Sequence, residues 1–118
     1  MLVGIDHVQL AMPPGGEEAA EAFYGGALGL TRVPKPPALA VRGGTWFEGG
    51  GVRVHLGVEE SFVPARKAHP AFVVRGLRAF VADRGLEVAW SDEIPGTVRC
   101  HLHDPFGNRL ELVDADAR

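Results

Sequence analysis

Apolar and polar residues alternate along this chain in short runs, and twice the alternation gives way to a helical spacing. Residues 3–12, VGIDHVQLAM, keep a period of two and predict a strand that Pro13-Pro14-Gly15-Gly16 ends. Over 17–28, Ala20, Phe23, Tyr24 and Ala27 fall at i, i+3, i+4 and i+7, which predicts an amphipathic helix. Glu17 and Glu18 suit its first turn, where the helix dipole favours carboxylates, while Gly25-Gly26 weaken its end and Leu28-Gly29-Leu30 close it. A connection rich in proline (Pro34, Pro36, Pro37) leads to a strand predicted around 38–47. Gly49-Gly50-Gly51 makes a turn, and VRVHLGV over 52–58 is the next strand.

Residues 59–68 read as a polar linker, after which the order restarts. HPAFVV at 69–74 predicts a strand, and Leu77, Phe80, Val81 and Arg84 keep helical spacing over 76–84, with Gly85 suited to end that helix. Strands follow at about 86–91, 97–103 and 107–113, the last two joined by the turn residues Asp104-Pro105-Phe106-Gly107-Asn108. Each half thus runs strand, helix, then three strands, and the match extends to single residues. His7 and His69 open the two halves, Arg53 matches Arg109, and His55 matches Glu111. The expectation is an α+β chain of two tandem βαβββ modules in one 118-residue domain, with module 1 about 3–58, a linker 59–68 and module 2 about 69–114.

The period of two also sorts chemistry onto faces. Val8 and Leu10 oppose His7 and Gln9; Val54, Leu56 and Val58 oppose Arg53 and His55; Phe72 and Val74 oppose His69; Leu110 and Leu112 oppose Glu111. The large apolar residues can pack on helices, and the other face collects His7, His55, His69 and Glu111. Three imidazoles and a carboxylate suit a divalent transition metal (zinc, nickel, cobalt, manganese or iron(II)), with positions left open for water or substrate. The alternative is an ordinary solvated face of an antiparallel sheet, although such faces draw Thr, Lys, Glu and Ser more than histidine. Glu111 and His55 are the candidate catalytic groups, His55 standing either as ligand or just outside the ligand shell. Gln9, Arg53, Arg99, His101 and Trp46 are candidates for holding a substrate; the first four are equally candidates for donors just outside the ligand shell, with exposed-strand roles for them and a core or interface role for Trp46 as the alternatives.

Composition narrows the classes. A net charge of −3 without a basic run argues against a nucleic-acid partner. No apolar run approaches the 18 residues a membrane helix needs, and no leader pattern precedes the first strand, so a cytoplasmic protein is expected. One cysteine, Cys100, on an inferred buried face excludes an internal disulfide and fits a reducing compartment. No nucleophile elbow, phosphate loop or paired-cysteine motif occurs.

IDHVQLAM, AFYGGALGL, HPAFVV and DPFGNRLEL together resemble the vicinal oxygen chelate superfamily, which includes glyoxalase I, fosfomycin- and bleomycin-resistance proteins and extradiol dioxygenases. The resemblance covers essentially the whole chain. It implies curved mixed sheets forming a cup around a divalent metal that two neighbouring substrate oxygens chelate. By position it implies His7, His69 and Glu111 as ligands, and it places His55 where glyoxalase I carries a glutamate. That substitution removes the carboxylate base of glyoxalase I. Gln9 stands where fosfomycin enzymes carry a hydroxyl residue. The resemblance further implies a homodimer in which His7 and His55 of one chain join His69 and Glu111 of the other. A metal-dependent lyase or isomerase, thiol transferase or dioxygenase acting on a small molecule is therefore expected. The competing expectation is a metal-free, bleomycin-resistance-like dimer that sequesters a ligand.

Overall fold

The computed structural model describes residues 1–118, which divide into two compact units, Met1–Pro64 and Ala65–Arg118. In the first unit, β1 (Val8–Met12) is followed by α1 (Glu17–Ala20), which runs on as a π-helical stretch, Glu21–Ala27. Then come β2 (Thr31–Val33), α2 (Pro37–Ala40), β3 (Thr45–Gly49) and β4 (Val52–Val58). The sheet order is β1-β4-β3-β2, with β1 parallel to β4 and the other pairs antiparallel. The second unit holds β5 (Ala71–Val74), α3 (Leu77–Arg84), β6 (Ala89–Ser91), β7 (Arg99–His103) and β8 (Arg109–Asp114), in the order β5-β8-β7-β6 with β5 parallel to β8. These are the two βαβββ modules expected from the sequence.

Alternation determines what is buried. Leu10, Met12, Phe47, Val54 and Leu56 line the core face of the first sheet, and Ala20 and Tyr24 reach complete burial from the helix. Cys100, Leu102, Leu110 and Leu112 do the same in the second sheet, met by Leu77 and Val81 of α3. Each such Leu contributes about 1.5–3 kcal/mol by leaving water. α3 starts where Asp114 Oδ2 accepts a hydrogen bond from the Leu77 N–H (3.0 Å) and ends at Gly85, whose φ of 61° only glycine adopts without strain.

Several boundaries differ from expectation, the strands predicted at 69–74 and 86–91 shortening to Ala71–Val74 and Ala89–Ser91. The strand predicted over 3–12 begins only at Val8, because β4 supplies partners from Val54 opposite Val8 to Val58 opposite Met12 and residues 1–6 lie exposed. The strand predicted around 38–47 is instead α2, a turn, and then β3: Pro37 presets the first helical residue, and Gly43 and Gly44 turn the chain at φ 73° and 86°. Finally, the helix over 17–28 widens around Gly25-Gly26, where the Leu28 N–H bonds the Phe23 carbonyl five residues back.

Candidate metal centre

Glu111 sits in the middle of β8 and is 8% exposed, far more buried than a carboxylate on a solvated strand. Its neighbours are set by the turn that precedes it. Asp104 Oδ1 accepts hydrogen bonds from the N–H groups of Phe106 and Asn108, both at 2.9 Å, and Asn108 Nδ2 donates to Asp104 Oδ2. Asn108 Oδ1 in turn accepts from the Ala65 N–H, and Gly107 takes a φ of 91°. This closed turn fixes His103 opposite Arg109 and so His101 opposite Glu111. On the other side Ala71 of β5 pairs with Glu111, which carries His69, two residues earlier, to the same carboxylate.

The resulting contacts are close. His69 Nε2 lies 3.0 Å and His101 Nε2 3.3 Å from Glu111 Oε1, while Arg99 Nη1 donates to Glu111 Oε2 at 3.2 Å. His69 Nδ1 is 2.8 Å from the Lys67 carbonyl oxygen, which can only accept, so Nδ1 carries the hydrogen. Burial works to raise the Glu111 pKa, but hydrogen bonds from His69 and Arg99 and the charges of Arg99 and His101 outweigh it and hold the carboxyl below its ordinary value. His101 is shifted down, chiefly by burial and then by the Arg109 charge. The Cys100 thiol beside it is pushed up to about 11 by burial, so it is no thiolate ligand at neutral pH.

This trio fits a divalent metal. One donor atom from each of His69, His101 and Glu111 lies within 4.8 Å of the others. With Nδ1 hydrogen-bonded to a carbonyl, the His69 ring turns Nε2 toward the Glu111 carboxylate, where it can either donate a hydrogen bond to Oε1 or share a cation with it. Anchoring of the far ring nitrogen is also how metal-binding imidazoles are commonly oriented. Beside the trio lies a cavity of about 430 Å³, lined by His69, His101, Arg99, Arg109, Lys67 and Trp90 among others.

The first unit presents the corresponding positions differently. His55, opposite Trp46 on β3 and Gln9 on β1, is 7% exposed. Its ring is sandwiched: Trp46 stacks on it at 3.9 Å and 2°, and His7 covers it at 4.1 Å and 20°. Burial first, and then the His7 charge, lowers the His55 pKa. His7 Nδ1 bonds Asp6 Oδ2 at 2.9 Å, and this bond leads the influences that depress the Asp6 pKa. No trio of donors forms here. A cavity of about 420 Å³ is lined by His7, Gln9, Leu39, Trp46, Arg53 and His55 among others.

Of the residues singled out from the sequence, then, the structure brings His69 to Glu111 and His7 to His55, each pair within its own unit. Arg53 is exposed and pairs with Asp6 and Glu48, and Gln9 is exposed on β1. Arg99 and His101, expected as substrate contacts or as donors just outside the ligand shell, touch Glu111 directly. Counting back from the DPFGN turn would have found His101 opposite Glu111. The Lys67 carbonyl carried no sequence signal.

No family model matches the sequence, and no curated protein matches it. Among solved structures, one described as a glyoxalase family protein from Bacillus anthracis is 45% identical, covers 97% of this chain and 96% of its own, and has a TM-score of 0.92. The chain belongs to the glyoxalase family, within the vicinal oxygen chelate superfamily. The fold of this glyoxalase family chain is shared by more distant structures. A mutant FosX fosfomycin resistance protein from Listeria monocytogenes, complexed with Mn(II) and dihydroxypropylphosphonic acid, is 16% identical over 97% of this chain and 93% of its own, with a TM-score of 0.73. Lactoylglutathione lyase from Agrobacterium tumefaciens is 19% identical over 98% and 96%, with a TM-score of 0.68. No helix of the chain is long and apolar enough to cross a membrane.

Proposed function

We propose that the chain is a metal-dependent enzyme acting on a small substrate with two adjacent oxygens, in the lyase, isomerase, thiol-transferase or dioxygenase chemistry of its superfamily. The observation that carries this reading is the His69–Glu111 pair: a buried carboxylate 3.0 Å from an imidazole whose other nitrogen is tied to the Lys67 carbonyl, beside a cavity of about 430 Å³. His69 and Glu111 would hold the ion, and the family resemblance adds His7 and His55, supplied by a second copy of the chain in a homodimer. When bound there, a divalent transition metal supplies Lewis acidity toward the paired substrate oxygens or, as iron(II), access to dioxygen.

The chain's own groups have separable tasks. Arg99 holds Glu111 Oε2, so that Oε1 stays turned toward the histidines. Arg109 and Lys67 line the same cavity and balance negative charge on a bound oxyanion. Metal content of protein purified without an affinity tag, measured beside Glu111→Ala, tests the reading. A stoichiometric transition metal that disappears in the variant supports it. No metal in either protein, and none taken up on titration, rejects it.

The stack of Trp46, His55 and His7 along its own cavity favours a second reading, a module that binds a planar ligand without metal. Quenching of tryptophan fluorescence by planar aromatic compounds, undiminished in EDTA and lost in Trp46→Ala, would support that reading.

A further inference from the structure

We infer that the first unit carries an anion site, and that the small molecule this chain binds is an organic anion. Its carboxylate or phosphonate lies between Lys35 and Arg42 while its body rests on Leu39 and Trp46. This rests on the reading that a small molecule occupies the open face, and deepens it by giving that molecule a charge. The site is a cavity of about 270 Å³ lined by Gln9, Lys35, Leu39, Arg42, Trp46 and Gly57 among others. Gln9, Leu39 and Trp46 also line the cavity of about 420 Å³ that holds His7 and His55, so the two cavities meet along those three side chains. A molecule anchored at the cationic end therefore lies beside the stacked Trp46 and His55 rings.

Charge is the first argument. Lys35 and Arg42 both line the cavity, and neither makes an ion pair. The other basic side chains of the unit are paired, Arg32 with Glu21 and Arg53 with Asp6 and Glu48. Glu17 reaches Gly43 from α1, but its Oε2 accepts the Gly44 N–H at 2.8 Å. Lys35 is half-buried, and a cation withdrawn from water without a counter-charge is unfavourable until an anion joins it. The His55 pKa, lowered chiefly by burial and then by His7, is lowered also by the Lys35 charge, so this ammonium is felt at the stack. Preorganisation is the second argument. Lys35 lies between Pro34 and Pro36, which leave its backbone little freedom, and its Nζ donates to the Gly43 carbonyl. That bond uses one of three ammonium hydrogens and leaves two for a ligand. Gly57 keeps the floor open, because a Cβ there would collide with Gln9 Nε2. A cation fixed at both ends loses little freedom when an oxyanion arrives.

Phenylphosphonate, phenylacetate and the neutral phenylacetamide are the probes. The readout is the indole N–H resonance of Trp46 in nitrogen-15 NMR spectra, with Trp90, the other tryptophan, as internal reference. The full chain is titrated as purified and again after metal removal, as wild type, Lys35→Gln, Arg42→Gln and Arg32→Gln, with circular dichroism to verify each fold. Arg32→Gln removes the same charge away from the cavity. The inference expects at least one anion to shift Trp46 saturably in both wild-type preparations, and phenylacetamide to bind at least about 10-fold more weakly. Lys35→Gln and Arg42→Gln should each weaken the anion at least about 5-fold, with Arg32→Gln within about 2-fold of wild type. Whichever anion binds more tightly identifies the group, and either order supports the site. Phenylacetamide binding as tightly as the anions overturns the inference, as does wild-type affinity in folded Lys35→Gln and Arg42→Gln. An equal loss in Arg32→Gln, a shift that requires metal, or no shift of Trp46 by either anion overturns it too. The metal-dependent reading fails on a different observation, the absence of metal uptake, and survives every one of these results.

Discussion

The two units share strand order, pairing direction and register, yet one presents an aromatic stack where the other presents a cluster of two imidazoles and a carboxylate. Aligning β4 with β8 pairs His55 with Glu111 and Leu56 with Leu112, and the ladders then pair Trp46 with His101 and Thr45 with Cys100, which puts Gly44, one residue before β3, at the place of Arg99. On the core face the substitutions are conservative: buried Leu56 meets buried Leu112, and Val54 meets Leu110. On the open face three changes occur together, and they depend on one another. A buried carboxylate at 111 needs donors around it, which His101 and Arg99 supply. The imidazole at 55 brings no comparable charge demand, and it is covered by flat rings instead. One backbone thus supports two electrostatic solutions, each internally consistent.

The largest test of this correspondence lies at Gly44. Its φ is 86°, and a Cβ there would lie 2.2 Å from the Leu56 carbonyl oxygen, a backbone atom with no freedom to move aside. Gly44→Ala is expected to cost about 3 kcal/mol or more of unfolding free energy, from strain and overpacking together. Arg99→Lys, at the matching place, meets no such backbone obstacle and keeps a cation beside Glu111, so it should cost much less in a urea melt. Equal losses in the two variants would mean that the shared register does not imply separate local solutions.

The next largest effect separates the open faces. Glu111→Gln keeps the shape of the side chain and removes its charge, and it should weaken cobalt(II) or zinc(II) binding at least about 100-fold, or about 2.7 kcal/mol. His55→Gln should weaken it less, since the His55 ring lies in the stack with Trp46 and His7 and a glutamine there leaves His69 and Glu111 in place. Competition against a chromophoric chelator measures both. Arg99→Met follows in size, because it leaves all three donors and removes only the hydrogen bond that orients Glu111 Oε2; about 10-fold weaker metal binding is expected. Unchanged affinity in this variant would show that Glu111 keeps its orientation through the histidines alone.

How much of this was legible beforehand follows the same division. β4 and β8 announced themselves because a buried strand with one open face alternates strictly, and the DPFGN turn and Gly85 carry their backbone geometry in their residue types. β2 left no pattern, since a strand of three residues with Thr31 and Arg32 exposed has too few positions to show a period. Residues 38–47 misled because apolar residues run through both α2 and β3, and Pro37 with Gly43-Gly44 mark the division only when their dihedrals are known. The grouping of His69 with Glu111 was visible in the repeat. The place of His101 needed the cross-strand register, and the fixing of His69 by a backbone carbonyl has no residue type to betray it.

The smallest expected effect concerns protons. Burial lowers the pKa of His55 and of His101 in the folded chain, so the unfolded chain binds more protons near the ordinary histidine value of 6.5. Stability is then fully present above 6.5 and is lost as pH falls from there through the lowered folded values. The Glu111 carboxyl is shifted down from 4.5, so its contribution is lost only as pH falls below that value, outside the histidine window. The units should differ within the window. Protonated His101 still faces Glu111 Oε1 at 3.3 Å, whereas protonated His55 is enclosed between Trp46 and His7. In EDTA, therefore, His55→Phe, which keeps the stack and cannot be charged, should flatten the pH dependence of the thermal midpoint more than His101→Phe does. If the substitution at 101 flattens it as much, the carboxylate is not offsetting that charge, and the electrostatic half of the comparison between the units fails.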